Sequence, residues 1–267
     1  MIRARLVQDR LLGAAAPAVM GLLVLALWEG LVRLNGVPVY VLPGPVAIAR
    51  ALVADWALLS ASLLVTLRVA LLALLAAVSL GGLLAVLFAQ SRWVERALFP
   101  YAVVLQVTPI VAIAPLILIC VNDVTASLLI CAWIVAFFPV LSNTVLGLNS
   151  ADRGLVELFR LYGATRWQTL RLLRLPGALP FFLAGLRVAG GLALIGAVVA
   201  EFVAGAGGTG SGLAFRILEA GYQLKIPRMF AALALISACG IAIFAVLGLV
   251  QHLLLRCWHE SAMRPEG

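Results

Sequence analysis

The chain has 267 residues, of which 64% are hydrophobic and 11% charged, with 19 Lys+Arg against 11 Asp+Glu. An ordinary soluble domain carries about a quarter charged residues, so this composition excludes one and points to a lipid bilayer. The formal charge of +8 does not argue for nucleic acid, which would require a soluble module with a basic reading face; an uneven placement of arginine across a membrane accounts for it.

The N-terminus carries Arg3, Arg5 and Arg10 and runs into an apolar stretch, 11–34. That stretch outlasts the roughly 7–15 residue core of a signal peptide and has no small-residue cleavage site, so it is expected to remain as the first of six spans. Glu29 and Arg33 stand four apart with the acid first, the favourable helical order, and are expected to pair. Leu42-Pro43-Gly44-Pro45 reads as a turn into a short surface helix, with Pro45 at its first position and Ala49, Leu52, Val53 and Trp56 along one face.

Span two is expected over 63–89, with Arg68 as its only charge. Span three, 97–120, contains Pro100, Pro109 and Pro115. Such breaks persist in a bilayer only where protein or a water-filled cavity satisfies the freed backbone, which makes Gln106, Thr108 and Pro109 candidate pathway residues; interhelical hydrogen bonding is the other account of Gln106 and Thr108. Span four follows over 124–149, with Pro139 as a kink.

Between spans four and five lies a basic insert, 152–176, holding Arg153, Arg160, Arg166, Arg171 and Arg174. It reads as two short helices: Asp152 caps the first, Gly163 ends it in the left-handed conformation, Thr165 with Gln168 forms a capping box for the second, and Pro176 stops that second helix. Span five, 178–203, is rich in small residues, including Gly185, Gly190, Gly191 and Gly196, and holds Arg187 and Glu201. Ionisable groups in a span are costly and are functional candidates by default; Arg187 is the deeper, and Glu201, near the outer end, is either a pathway residue or interfacial.

Gly205, Gly207 and Gly210 spell GxGxxG, but no strand-turn-helix unit surrounds them, and an outer re-entrant turn is expected instead of a dinucleotide site. A surface helix over 213–222, with Ser211 as its cap, leads to Lys225-Ile-Pro-Arg228 and span six, 229–255. His252 and His259 lack the partners of a metal site, and Cys120, Cys131, Cys239 and Cys257 show no CxxC spacing and read as small hydrophobes. With the N-terminus inside, twelve of the 19 Lys+Arg fall in inner segments and five in outer ones, which puts both termini and the insert in the cytoplasm. The chain is thus expected to be an all-α integral membrane protein, one domain over 1–267, without cofactor or metal.

No catalytic constellation and no GxxxxGK[ST] phosphate loop is present, so the chain is expected not to be an enzyme and to draw its energy from elsewhere. Glu157, then Gly163, then nine residues to Leu173, then Leu175-Pro176 resembles the EAA signature of the membrane subunits of bacterial ABC importers, with Leu158-Phe159 where that signature has two alanines. Leu42-Pro43-Gly44-Pro45, the prolines of span three, and Ala200-Glu201 with the following glycines are similar to nitrate/sulfonate/taurine-type permeases, although Cys120-Val-Asn-Asp123 replaces that family's usual end to span three.

The resemblance implies a type I importer permease that sits in the bacterial inner membrane. Two copies would pair as a homodimer, each laying the helix around Gly163 into one of two cytoplasmic ATPase subunits and receiving a small, anionic or vitamin-precursor solute from an extracytoplasmic binding protein. Glu157, Tyr162, Gly163, Ala164, Trp167, Leu173, Leu175 and Pro176 would form the coupling surface, while Arg171 and Arg174 anchor the insert to lipid headgroups. The other functional class is a secondary transporter driven by an ion gradient, which needs ionisable groups at the midplane of broken helices.

Overall fold

A computed structural model describes residues 2–205 and 210–256. The GxGxxG interior, Cys257, His259 and Arg264 therefore lie outside the described residues. Every regular element among those described is helical: α1 (Ile2–Leu34), α2 (Pro45–Ala54), α3 (Trp56–Gln90), α4 (Arg92–Val107), α5 (Ile110–Cys120), α6 (Val124–Asn149), α7 (Arg153–Leu161), α8 (Arg166–Thr169), α9 (Leu175–Ala204), α10 (Leu213–Tyr222) and α11 (Ile226–Leu255). Five helical stretches are long and apolar enough to cross a membrane, and α4 with α5 makes a sixth if that bent pair is one span.

The bend between α4 and α5 is 101°, and it falls at Thr108-Pro109, where proline removes a backbone donor and pushes the preceding residue out of the helical region. Pro100, Pro115 and Pro139, by contrast, lie inside α4, α5 and α6. The sequence identified three breaks in span three; the chain uses one.

Pro176 does not stop the second helix of the insert. A π turn over Leu170–Arg174 joins α8 to α9, and residues 166–204 form one apolar helix of 39 residues. The Leu175 N–H reaches back five residues to the Leu170 carbonyl. Widening the turn just ahead of the proline lets its missing donor pass without ending the helix.

The chain clusters into two compact units, 1–60 with 216–234 and 61–215 with 235–267. In the smaller unit, the Glu29 carboxylate accepts Arg33 Nε at 2.6 Å, the expected pair, and also the Val46 N–H at 3.1 Å, which caps α2 from a distance of 17 residues. Arg228 grips Asp55 with two hydrogen bonds of 2.6 Å, from Nε to Oδ2 and from Nη2 to Oδ1. This fork ties the end of α2 to the first turn of α11. Leu224, after α10, takes φ +56°, a conformation disfavoured for any residue with a Cβ.

The larger unit is built on α3, α6 and α9. One buried cluster includes Ala77, Phe88, Phe137, Leu141, Leu148 and Leu170; a second includes Val69, Leu128, Ala132, Leu194 and Ala197. Gly147, Gly185 and Gly196 line the seam between α6 and α9, where an added Cβ would come within 2.9 Å of the Ala178 backbone, 2.7 Å of the Pro139 carbonyl and 2.8 Å of the Ala132 Cα. The small residues of span five thus serve close helix contact, the main source of packing energy where lipid is as apolar as the helix surface.

Candidate functional site

The insert is shaped by its caps. Asp152 Oδ1 accepts the Leu155 N–H at 3.1 Å and starts α7. Gly163, at φ +70°, closes α7: its N–H bonds the Arg160 carbonyl at 3.0 Å and the Ala164 N–H bonds the Phe159 carbonyl at 2.9 Å, the two bonds of a Schellman motif. Thr165 and Gln168 then exchange backbone-to-side-chain bonds of 3.2 and 2.7 Å and start α8. Each of these caps follows from a residue type legible in the sequence.

What the caps produce is an apolar crest in a basic surround. Leu161 and Tyr162 are 84% and 83% exposed, and Leu158 and Trp167 are exposed as well. Glu157 is exposed; Ala164, Leu173 and Pro176 are half-buried, and Leu175 is exposed at the start of α9. The eight residues of the expected coupling surface therefore fall in two groups, one around the Gly163 turn and one where the π turn passes into α9. Glu157 forms none of the ion pairs found among the described residues, so its helical spacing from Arg153 and Arg160 does not become a contact.

Arg174, one of the two expected headgroup anchors, also makes a contact within the protein. Its Nη1 donates to the Ala89 carbonyl at 3.3 Å, in the last turn of α3. That carbonyl has no partner within its own helix, and a cation there is also favoured by the helix dipole.

Glu201 is buried within the protein. It is 3% exposed, and its Oε2 accepts the Thr66 hydroxyl at 3.1 Å and the Ala214 N–H at 3.0 Å, while Oε1 has no hydrogen-bond partner. Thr66 in turn accepts the Leu213 N–H at 2.9 Å. The carboxylate and the hydroxyl thereby cap the N-terminus of α10, whose first two residues are fully buried, so α10 does not start as a surface helix. Gly212 is required at this point because a Cβ there would overlap the Glu201 carboxylate. Sequence reasoning passed over Thr66; its polar spacing with Ser62, one turn earlier and also buried, was the available signal.

Arg187 is half-buried, with its guanidinium carbon 3.7 Å from the centre of the Phe244 ring and its Nε without a partner. A cation over an aromatic face is held by the ring quadrupole, and Gly248 leaves room beside it, an added Cβ lying 3.4 Å from Nη2. Of the span-three candidates, Gln106 and Pro109 are exposed, and the Thr108 hydroxyl bonds the Val104 carbonyl of its own helix at 2.6 Å. The structure brings Glu201 together with Thr66 and α10; Arg187, Gln106, Thr108 and Pro109 do not converge with it through any recorded bond.

The model of the family "binding-protein-dependent transport system inner membrane component" matches residues 77–256. The riboflavin transport system permease protein RibX of Chloroflexus aurantiacus is 36% identical over 249 residues, covering 90% of this chain and 88% of RibX. The formylaminopyrimidine transport permease protein ThiX of Halalkalibacterium halodurans is 34% identical over 243 residues, covering 91% of this chain and 95% of ThiX. A crystal structure of an amino acid ABC transporter with histidines matches with a TM-score of 0.62 at 21% identity, over 77% of this chain and 96% of that one. This last likeness is one of fold.

Proposed function

The chain belongs to the family of inner membrane components of binding-protein-dependent transport systems, and from that premise we propose that it couples a cytoplasmic ATPase to solute import through the α7–α8 insert. It is a multi-pass permease subunit for a small solute. Two copies, in this reading, frame the pathway in a bacterial cytoplasmic membrane with both termini inside, an extracytoplasmic binding protein delivers the solute, and ATP is hydrolysed in two partner subunits.

The observation that carries the reading is the crest formed by Leu158, Leu161, Tyr162 and Trp167 around the left-handed Gly163. Large apolar side chains held exposed by three separate caps are costly in water and mark a surface that a protein partner covers. Fixing them on two short helices also supplies a ridge of defined shape. The basic excess around the crest fits the cytoplasmic side.

For the solute, the names of the two relatives support a nitrogen heterocycle of the vitamin or vitamin-precursor class within the broader set that includes nitrate, sulfonates, taurine and bicarbonate. Arg187 and Glu201 are the ionisable residues proposed for the pathway.

The test is reconstitution of the permease with its ATPase and binding protein in proteoliposomes. ATP-dependent uptake of labelled riboflavin or a formylaminopyrimidine is the expected result. Uptake that continues without any ATPase and collapses with an ion gradient would overturn the coupling; uptake of an alkanesulfonate alone would overturn the solute class and leave the coupling standing.

A further inference from the structure

Two adjoining cavities, of about 710 and 900 Å³, open between the α3–α4 turn and the insert, and both are lined by Ala89, Arg92, Val156, Arg160 and Arg174. Their combined walls hold six arginines, Arg92, Arg96, Arg153, Arg160, Arg166 and Arg174, against two carboxylates, Glu95 and Glu157. None of these eight side chains takes part in the ion pairs found among the described residues. Arg92, Arg96, Arg153, Arg160 and Arg166 are exposed and Arg174 holds the Ala89 carbonyl, so the walls present a concentrated positive charge, and the planar guanidinium fork matches phosphate best.

The larger cavity is not polar throughout. Phe88, Phe99, Pro100 and Leu148 line it beside the arginines, and it lies where α3 and α6, two helices long and apolar enough to cross the membrane, reach their ends. The N-terminus of α4 faces the smaller cavity with Ser91 as its cap, and its partial positive charge adds to that of Arg92. A ligand that satisfies both linings carries a phosphate and an acyl chain. A free phosphate would leave the apolar part unfilled, and an acidic protein loop would set carboxylates against Phe99 and Pro100.

We propose that these cavities bind the headgroup of an anionic phospholipid from the leaflet on the insert's side, wedging one lipid between the α3–α4 turn and α7. The lipid phosphate neutralises Arg92 and Arg160, and its glycerol and first methylenes cover Phe99 and Pro100. The insert is thereby held at a fixed height by lipid as well as by protein.

The complete transporter, extracted in mild detergent, is compared by native mass spectrometry with an Arg92→Gln/Arg160→Gln form. Wild type is expected to retain phosphatidylglycerol, and the double variant to retain at least fivefold less. In nanodiscs, phosphatidylglycerol is expected to raise the melting midpoint of wild type over phosphatidylcholine and to leave the variant unmoved. Should the double variant not assemble, Arg92→Gln and Arg96→Gln singly carry the same comparison, since both residues are exposed on the first turns of α4. Equal lipid retention overturns the proposal. So does a midpoint shift that millimolar inorganic phosphate reproduces in phosphatidylcholine, which makes the site one for a free anion. Loss of the ATPase from the variant with lipid retention unchanged also overturns it, by assigning the arginines to a protein surface.

Discussion

The Thr66 hydroxyl donates to Glu201 Oε2 at 3.1 Å, across 135 residues of sequence, and accepts the Leu213 N–H at 2.9 Å. One hydroxyl thus links α3, α9 and the start of α10. Glu201→Ala leaves the Ala214 N–H buried without its acceptor, at about 1–3 kcal/mol, while the Thr66 hydroxyl keeps the Ser62 carbonyl at 3.3 Å. Glu201→Gln keeps a carbonyl acceptor and is expected to cost less. Thermal unfolding of the detergent-solubilised permease, followed by tryptophan fluorescence, ranks wild type, Gln and Ala in that order.

Gly212→Ala is expected to destabilise the permease through overlap with the Glu201 carboxylate. In a Glu201→Ala background the same change should cost less, because the obstructing group is gone. A double-mutant cycle on melting midpoints measures that difference, and additive effects would show that the two residues do not meet.

Leu224→Gly is expected to stabilise. Leu224 occupies φ +56° with 74% of its surface exposed, so it incurs the left-handed penalty of roughly 1–2 kcal/mol while burying little in return. Part of that gain is lost to the greater freedom of glycine in the unfolded chain. A rise in melting midpoint checks it.

Arg228→Lys is expected to lose about 1–2 kcal/mol, because a lysine cannot reproduce the two parallel bonds to Asp55. The pair is partly exposed, with side-chain exposures of 16% and 23%, which keeps the figure near the lower end. Asp55→Asn with Arg228→Lys together should cost less than the sum of the two.

Tyr162→Ala and Trp167→Ala are expected to leave the isolated permease within about 0.5 kcal/mol of wild type, since both side chains are exposed. Binding of the ATPase should weaken by at least fivefold, as for anchors at the centre of an interface. Gly163→Ala should both destabilise the isolated permease and weaken ATPase binding, because its φ of +70° strains any side chain. Co-purification of the ATPase separates the two effects.

Much of this was legible because its causes are local. Asp152, Gly163 and the Thr165–Gln168 box act within four residues of themselves, and the apolar runs announce helices by length alone. What escaped was set by tertiary context. Glu201 sits near the end of its helix, where position suggests an interface; its burial depends on Thr66 and on the folding back of α10. Pro176 reads as a stop in any single sequence, and only a π turn, which has no sequence signature of its own, lets the helix continue. The Asp55–Arg228 fork joins residues 173 positions apart and had no local signal.

That continuing helix has a mechanical meaning. At 1.5 Å per residue, the 39 residues from Arg166 to Ala204 make a rod of about 58 Å. One end carries the exposed Trp167 and the other the buried Glu201. Among the described residues no loop interrupts the helix between these two ends. The π turn at Leu170–Arg174 and the interior Pro180 are where its i→i−4 ladder is interrupted, and bending of the long arm is expected there first.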